Sequence, residues 1–343
     1  MTLSPEAQNQ IRPQLSFVVP VYNEAESLPQ LATEICHHAA STGLPFELIF
    51  IDDGSTDASW QVITELACQH PPVRGLRFRR NFGKAAALHA GFREARGEII
   101  FQLDADLQDD PAEIPKFLDL LQQGYDLVNG WKKPRRDPWT KTIPSRVFNL
   151  LVSVLTGLKL HDHNCGFKCM RAEVARSLRL YGDLHRFIPV FAHARGYRIA
   201  ELKVHHRARK YGRSKYGAGR FLKGLLDLMT VCFLTGFASR PLHFLGTVGL
   251  LSMIVGLGGL TYLALVWVLH QLGVPGFEPI GRRPLLIYSN TAFLLGFQML
   301  AIGFLGELMI ALDLTPDSTY SVCERTPELS AADSEATNHE QQH

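Results

Sequence analysis

A chain of 343 residues has room for one large domain or two small ones, and its 35 Lys and Arg against 33 Asp and Glu leave a formal charge of only +2. That near balance supplies no electrostatic footprint for nucleic acid. Six scattered cysteines (Cys36, Cys68, Cys165, Cys169, Cys232 and Cys323) form no disulfide framework, which fits a reducing compartment.

Residues 1–14 read as a flexible lead without the apolar stretch of a signal peptide, so the first domain is expected to stay in the cytosol. Leu15–Pro20 is a short apolar strand and Ala25–Ala40 a helix. Phe46–Ile51 is a second strand, stopped by the turn and cap sequence Asp52-Asp53-Gly54-Ser55-Thr56-Asp57. Ala58–Gln69 is predicted as a helix, Val73–Phe78 as a strand, Gly83–Arg96 as a helix and Glu98–Leu103 as the fourth strand. Helix Ile114–Gln122 and strand Leu127–Gly130 follow. This alternation predicts an α/β fold with a Rossmann-like, mostly parallel sheet covered on both faces. Residues 131–142 are basic, aromatic and proline-broken, a loop that serves equally well as a lid over a site or as a solvated basic segment. Ser145–Leu158 has helical apolar spacing, after which the pattern weakens until the glycine-punctuated basic loop Lys210–Gly217.

Two apolar stretches, Leu242–Leu269 and Leu285–Leu312, contain Glu307 as their single acid and exceed the ~20 residues of a membrane span. Gly246, Gly249, Gly256, Gly258 and Gly259 suit close helix packing, so the pair is expected as a transmembrane hairpin, with buried soluble helices as the alternative. Phe221–Phe237 is apolar but framed by Arg220, Lys223, Asp227 and Arg240, which predicts an interfacial helix in preference to a third span. Arg207, Arg209, Lys210, Arg213 and Lys215 also precede the first span, whereas the hairpin loop offers Arg282 and Arg283. By the positive-inside rule the large domain and both termini face the cytosol. The expected layout is a catalytic domain over 15–217, a juxtamembrane amphipathic helix over 218–240, the hairpin over 241–312 and a disordered acidic tail over 313–343.

Chemistry concentrates where the fourth strand ends, in Asp104-Ala105-Asp106-Leu107-Gln108. Two carboxylates at the C-terminal edge of a buried strand repel unless a cation joins them, and Mg²⁺ or Mn²⁺ shared with substrate phosphates is the usual solution. Taken alone the pair is as readily an acidic loop. Its context is the ordered set Val19-Pro20-Val21-Tyr22-Asn23-Glu24, Asp52-Asp53-Gly54-Ser55-Thr56-Asp57, Asn81-Phe82-Gly83-Lys84 and the Asp-x-Asp run itself.

In this order and spacing the four motifs resemble the family-2, GT-A-fold glycosyltransferases, and within them the polyprenyl-phosphate sugar transferases such as dolichyl-phosphate mannose synthase and the bactoprenol glucosyltransferases. The resemblance continues in Asp162-His163-Asn164-Cys165-Gly166-Phe167-Lys168, in Arg209-Lys210-Tyr211-Gly212-Arg213-Ser214-Lys215-Tyr216 and through the apolar hairpin. It implies a membrane enzyme that moves a monosaccharide, with glucose from UDP first among the donors, onto undecaprenyl phosphate for a cell-envelope glycan. GDP-mannose and UDP-amino sugars stay open as donors. Pro20, Tyr22 and Glu24 would line the base and ribose pocket, Asp52 would meet the base or ribose, and Lys84 would approach the diphosphate. Asp104 would contact ribose or metal, Asp106 and Gln108 would bind metal, and Asp162 would lie near the reacting centre. Arg209, Ser214 and Lys215 would hold phosphates of donor or acceptor. The implied cofactor is Mg²⁺ or Mn²⁺, and the implied partners are a nucleotide sugar, the lipid phosphate, the bilayer and further copies of the chain.

Two departures stand out: Lys132 replaces an expected arginine, and the tail lacks the basic residues that often follow the second span. A zinc site of His161, His163, Cys165 and Cys169 matches no standard spacing. A processive polysaccharide synthase would carry Gln-x-x-Arg-Trp, and none of Trp60, Trp131, Trp139 and Trp267 stands in that pattern. A non-catalytic nucleotide-sugar scaffold is the remaining alternative, disfavoured by the intact Asp-x-Asp pair; two spans are too few for a transporter monomer.

Overall fold

The computed structural model describes residues 12–132, 139–207, 220–237, 241–276 and 284–312. They divide into two compact units, one ending at Val231 and the other beginning at Cys232.

The first unit is built on β1 (Leu15–Val21), β2 (Phe46–Asp52), β3 (Val73–Arg77), β4 (Ile99–Gln102), β5 (Leu127–Lys132), β6 (Lys168–Arg171) and β7 (Ile199–Val204). They form one seven-stranded sheet in the order β3-β2-β1-β4-β6-β5-β7. All pairings are parallel except those of β6, which runs antiparallel between β4 and β5. The helices are α1 (Leu28–Ala40), α2 (Ser59–Gln69), α3 (Lys84–Glu94), α4 (Ile114–Gln122), α5 (Trp139–Thr156), α6 (Ala172–Ser177), α7 (Ile188–Ala194) and α8 (Arg220–Cys232).

Strand residues alternate between two cores, because side chains in a strand point to opposite faces. Phe17, Val19, Leu48, Phe50 and Phe101 meet α1, α2 and α4 through Leu31, Ile35, Ile63, Phe117 and Leu121. Val18, Ile49, Ile51 and Ile100 meet α3, α6 and α7 through Leu88, Phe92, Val174 and Ile188. Phe17 stacks on Phe101 with ring centroids 4.9 Å apart, and Phe117 lies 4.4 Å from Phe167. Burial on both faces is what makes these strands read as continuous apolar runs.

Most predicted elements are found within a few residues of their expected ends. Helix α1 starts at Leu28 and not at Ala25, since residues 25–27 form a turn in which the Ser27 hydroxyl donates to the Glu24 carbonyl. The predicted loop over 131–142 is corrected at both ends. β5 continues through Lys132 by pairing with β7, and α5 already begins at Trp139.

On α8, Leu228 and Val231 are buried whereas Leu226 and Met229 are exposed, an amphipathic division. A Cβ on Gly224 would touch the Phe148 ring of α5 at 3.3 Å.

The second unit is a pair of packed helices, α9 (Pro241–Gln271) and α10 (Leu285–Leu312). A Cβ on Gly249 would sit 2.7 Å from the Gly296 carbonyl oxygen, so the two backbones touch there, and the Ser252 hydroxyl donates to the Ala292 carbonyl at 2.7 Å. Both helices are long and apolar enough to cross a membrane. Their apolar side chains, among them Leu251, Val255, Ile287 and Phe304, face outward, the reverse of a soluble core helix.

Candidate active site

The sheet order reverses between β1 and β4: the chain moves outward from β1 to β2 and β3, then returns to the other side of β1. In open α/β sheets the carboxyl ends of the strands at such a crossover form the ligand crevice. Tyr22, Asn23 and Glu24 leave β1 there, Asp52 and Asp53 end β2, and Leu103 to Asp106 leave β4. Pro20, inside β1, lies in register with Ile51.

The corner after β1 is stitched to the turn after β2. Asn23 takes a left-handed conformation (φ 54°), donates its backbone N–H to the Ser55 hydroxyl at 2.9 Å and accepts the Thr56 N–H on its side chain at 2.8 Å. The Glu24 N–H reaches the Ser59 hydroxyl at 3.0 Å. Tyr22 and Glu24 stay half-buried at the edge. Asp52 is fully buried, accepts the Ser55 N–H at 2.9 Å and lies 3.2 Å from the Arg77 guanidinium. It therefore shapes the turn from within.

Asp53, to which the sequence reading gave no role, accepts the N–H groups of Phe82 and Gly83 at 2.7 and 2.9 Å, with burial raising its pKa. This fixes the start of α3, and the first residue of α3, Lys84, forms an ion pair with Asp104. Burial would push the Asp104 carboxyl up, but Lys84, Lys132 and Lys168 together hold it well below the usual carboxylate range.

Asp106 accepts the Gln108 N–H at 3.2 Å across Leu107, another left-handed residue (φ 60°). Gln108 is tied to the segment after β7: its side-chain amide donates to the Arg207 carbonyl at 3.4 Å, and its own carbonyl accepts the Arg207 N–H at 2.9 Å. Arg207 in turn pairs with Glu34 at 2.6 Å and Asp110 at 2.7 Å. Arg209, Ser214 and Lys215 lie outside the described residues.

A third acid, Asp109, joins the cluster. It is 2% exposed, accepts the Asp104 N–H at 3.4 Å and leaves its Oδ1 without a hydrogen-bond partner. Burial raises its pKa to about 6. The spacing Asp104-x-Asp106-x-x-Asp109 was the available signal for it.

Asp162 is buried on the far side of β6. Its N–H donates to Glu201 at 2.9 Å, its carbonyl accepts from Asn129 at 2.6 Å and its carboxylate accepts the Asn164 N–H at 3.2 Å. Burial lowers the Lys132 pKa, but Asp109, Asp104 and Asp162 more than offset it and leave it above the ordinary lysine value. Lys168 is 1% exposed and donates to the Cys165 carbonyl; burial pulls it down to about 8. Asp104, Asp106, Asp109, Asp162, Lys84, Lys132 and Lys168 thus form one charge cluster. His161 and His163 of the zinc alternative have other partners: His161 stacks on Trp131 and bonds Glu201 at 2.7 Å, and His163 bonds Ser153 at 3.2 Å.

The depressed Lys168 predicts a pH effect. With a folded pKa of about 8 against an ordinary 10.5, the folded state holds fewer protons than the unfolded one between those values. Its cost to stability is present in full below pH 8 and is relieved as pH climbs towards 10.5. Lys168→Met is expected to melt above wild type at pH 7, by an amount on the order of 3 kcal/mol less about 1 for the lost carbonyl bond, and the gap closes near pH 10. Melting curves of the solubilised protein at the two pH values decide it; a gap that is absent at pH 7 or widens with pH contradicts the assignment.

Among the described residues no three His, Cys, Asp or Glu side chains form a complete metal cage. Asp104, Asp106 and the Gln108 amide oxygen still suit a hard divalent ion that takes its other ligands from water and phosphate, the habit of Mg²⁺.

The family model described as glycosyl transferase family 2 matches residues 16–179. A dodecaprenyl-phosphate galacturonate synthase of Rhizobium johnstonii is 38% identical over 301 residues, covering 86% of this chain and 87% of its own. An undecaprenyl-phosphate 4-deoxy-4-formamido-L-arabinose transferase of Shewanella sediminis is 36% identical over 299 residues, covering 85% and 86%. Among solved structures, glucosyl-3-phosphoglycerate synthase of Mycobacterium tuberculosis, in complex with Mn²⁺, UDP and phosphoglyceric acid, shares the fold. Its TM-score is 0.53 at 20% identity, over 66% of this chain and 81% of that one.

Proposed function

Because this chain belongs to glycosyl transferase family 2 and is a glycosyltransferase, we propose that it moves a monosaccharide from a nucleotide sugar to a polyprenyl monophosphate, with inversion at the anomeric carbon. The observation that carries the reading is the placement of Asp104 and Asp106 at the sheet crossover, with Lys84 on the same carboxylate.

Asp104, Asp106 and Gln108 would hold Mg²⁺ or Mn²⁺, and such an ion neutralises charge on a diphosphate leaving group. Lys84, held at the edge by Asp104, adds a second positive charge for the diphosphate. Tyr22 and Glu24 face the nucleoside beside Pro20, and Asp52 acts by shaping the Ser55 turn. The acceptor phosphate, with a second pKa of ~6, is already largely ionised at neutral pH and attacks without a strong base. Asp162, pinned by backbone bonds, therefore orients and shapes the site. Arg209, Ser214 and Lys215 hold phosphate of the donor or the acceptor, the two cations by charge and the hydroxyl by a hydrogen bond.

The two relatives are named for galacturonate and for 4-deoxy-4-formamido-L-arabinose, which moves uronates and 4-amino sugars on UDP ahead of glucose, the donor expected from the sequence. Helices α9 and α10 cross the bilayer as a hairpin that also packs on further copies of the chain. The basic residues before α9 keep the catalytic unit and both termini cytosolic, and they meet the anionic lipid at ~1 kcal/mol each.

The test is transfer of labelled sugar from UDP-galacturonate, UDP-amino sugars, UDP-glucose and GDP-mannose to undecaprenyl phosphate by purified protein, with and without chelator. Labelled lipid from one donor, abolished by chelation, is the expected result. Transfer that survives chelation removes the metal, and no labelled lipid from any donor removes the acceptor.

A further inference from the structure

The turn Leu184–Phe187 packs against α3, the helix that begins with Lys84. Within it His185 is 7% exposed, and its Nδ1 is buried without a hydrogen-bond partner. A buried polar group left in this condition is costly, and in a folded protein it asks for an explanation.

The surroundings supply one. Burial and the positive charges of Lys84, Arg186 and Lys168 hold the imidazole neutral, pulling its pKa well down against the opposing pull of Asp104. Arg186 is itself largely buried, 3.3 Å from Asp183 and 3.9 Å from Asp227 on α8. The three cations are matched by Asp104, Asp183 and Asp227, yet none of these acids bonds the buried Nδ1, and a neutral ring N–H needs an acceptor oxygen. A phosphate oxygen drawn to Lys84 offers one. Beside the turn a cleft of about 550 Å³ opens between Arg80–Gly83, Gly182–Asp183 and Leu226–Asp227, its walls ending one residue before Lys84 and two before His185.

We propose that His185 is a phosphate-binding residue of the transfer site, donating a ring N–H to an oxygen of the donor diphosphate or of the acceptor monophosphate. The inference rests on the proposed function for the identity of that phosphate. Neither the sequence motifs nor the residues assigned above include His185.

The experiment uses the solubilised full-length protein as wild type, His185→Ala and His185→Asn. Two quantities are measured: the dissociation constant of the nucleoside diphosphate that wild type binds with Mg²⁺, UDP or GDP, and the KM for undecaprenyl phosphate. Loss of a hydrogen bond to a charged group predicts a change of about 10- to 100-fold in one of them for His185→Ala, and most of it is regained by His185→Asn. Weakened nucleotide binding places the contact on the donor. Unchanged nucleotide binding with a raised KM places it on the acceptor. Unchanged values in both, or a lowered melting temperature with affinities intact in either variant, overturn the proposal. Should wild type bind nucleotide yet transfer nothing to lipid, the acceptor reading fails on its own, and an unchanged nucleotide affinity then also overturns the role of His185.

Discussion

Asp106→Asn will cut sugar transfer by about three orders of magnitude while the melting temperature stays within a few degrees of wild type. The substitution keeps the shape of the side chain and an oxygen able to accept the Gln108 N–H, so the left-handed turn at Leu107 has no reason to move. What is lost is one negative charge from the pair proposed to hold the divalent ion. A hard divalent ion depends on anionic oxygen ligands, and on that proposal the leaving diphosphate loses its neutralising partner with them. The measurement is kcat with saturating donor at several Mn²⁺ concentrations. More than a tenth of wild-type activity at low Mn²⁺ would show that Asp106 is not a ligand.

Gly166→Ala will be almost as damaging, by about 100-fold, although residue 166 carries no functional group. A Cβ built there lies 2.5 Å from Asp104 Oδ2 and 2.7 Å from its Cγ. The obstacle is a side chain and not backbone, so the fold can yield by swinging the Asp104 carboxylate away from Lys84. A displacement of this kind, about an ångström at a reacting centre, costs about 10²-fold. The expected signature is a fall in kcat with stability nearly intact. A large fall in melting temperature with activity retained in the folded fraction would instead mean that the 165–166 segment moves and Asp104 does not.

The parts of this architecture that show in the sequence are those with a repeating physical cause. β1, β2 and β4 announce themselves as apolar runs because both of their faces are covered, and the corners after them announce themselves through Asn23, Asp52-Asp53-Gly54 and Asp104-Ala105-Asp106. β6 does not. It is four residues long, Lys168-Cys169-Met170-Arg171, and its two charged ends obscure any period. β7 is half-buried and polar in alternation, and it becomes a strand through its pairing with β5. Site residues divide in the same way. The Asp-x-Asp pair and Lys84 sit at corners that sequence marks, and Asp109, which answers the Asp104 N–H across a local turn, is marked by its spacing, whereas Asp53 and His185 act through partners far away in the chain. Asp53 holds residues 82 and 83, and His185 meets Lys84 and Lys168 only once the sheet exists.

The antiparallel strand has a consequence in time. β4, which carries the Asp104–Asp106 corner, gains its second neighbour only when residues 168–171 have been made, and β5 gains its own only with residues 199–204. All seven strands precede Pro241, the first residue of the apolar pair. In a chain synthesised from its N-terminus, domains tend to fold as they emerge. The ribosome therefore delivers a closed carboxylate edge before it delivers either of the two long apolar helices, and the site can be complete before the most hydrophobic part of the chain appears.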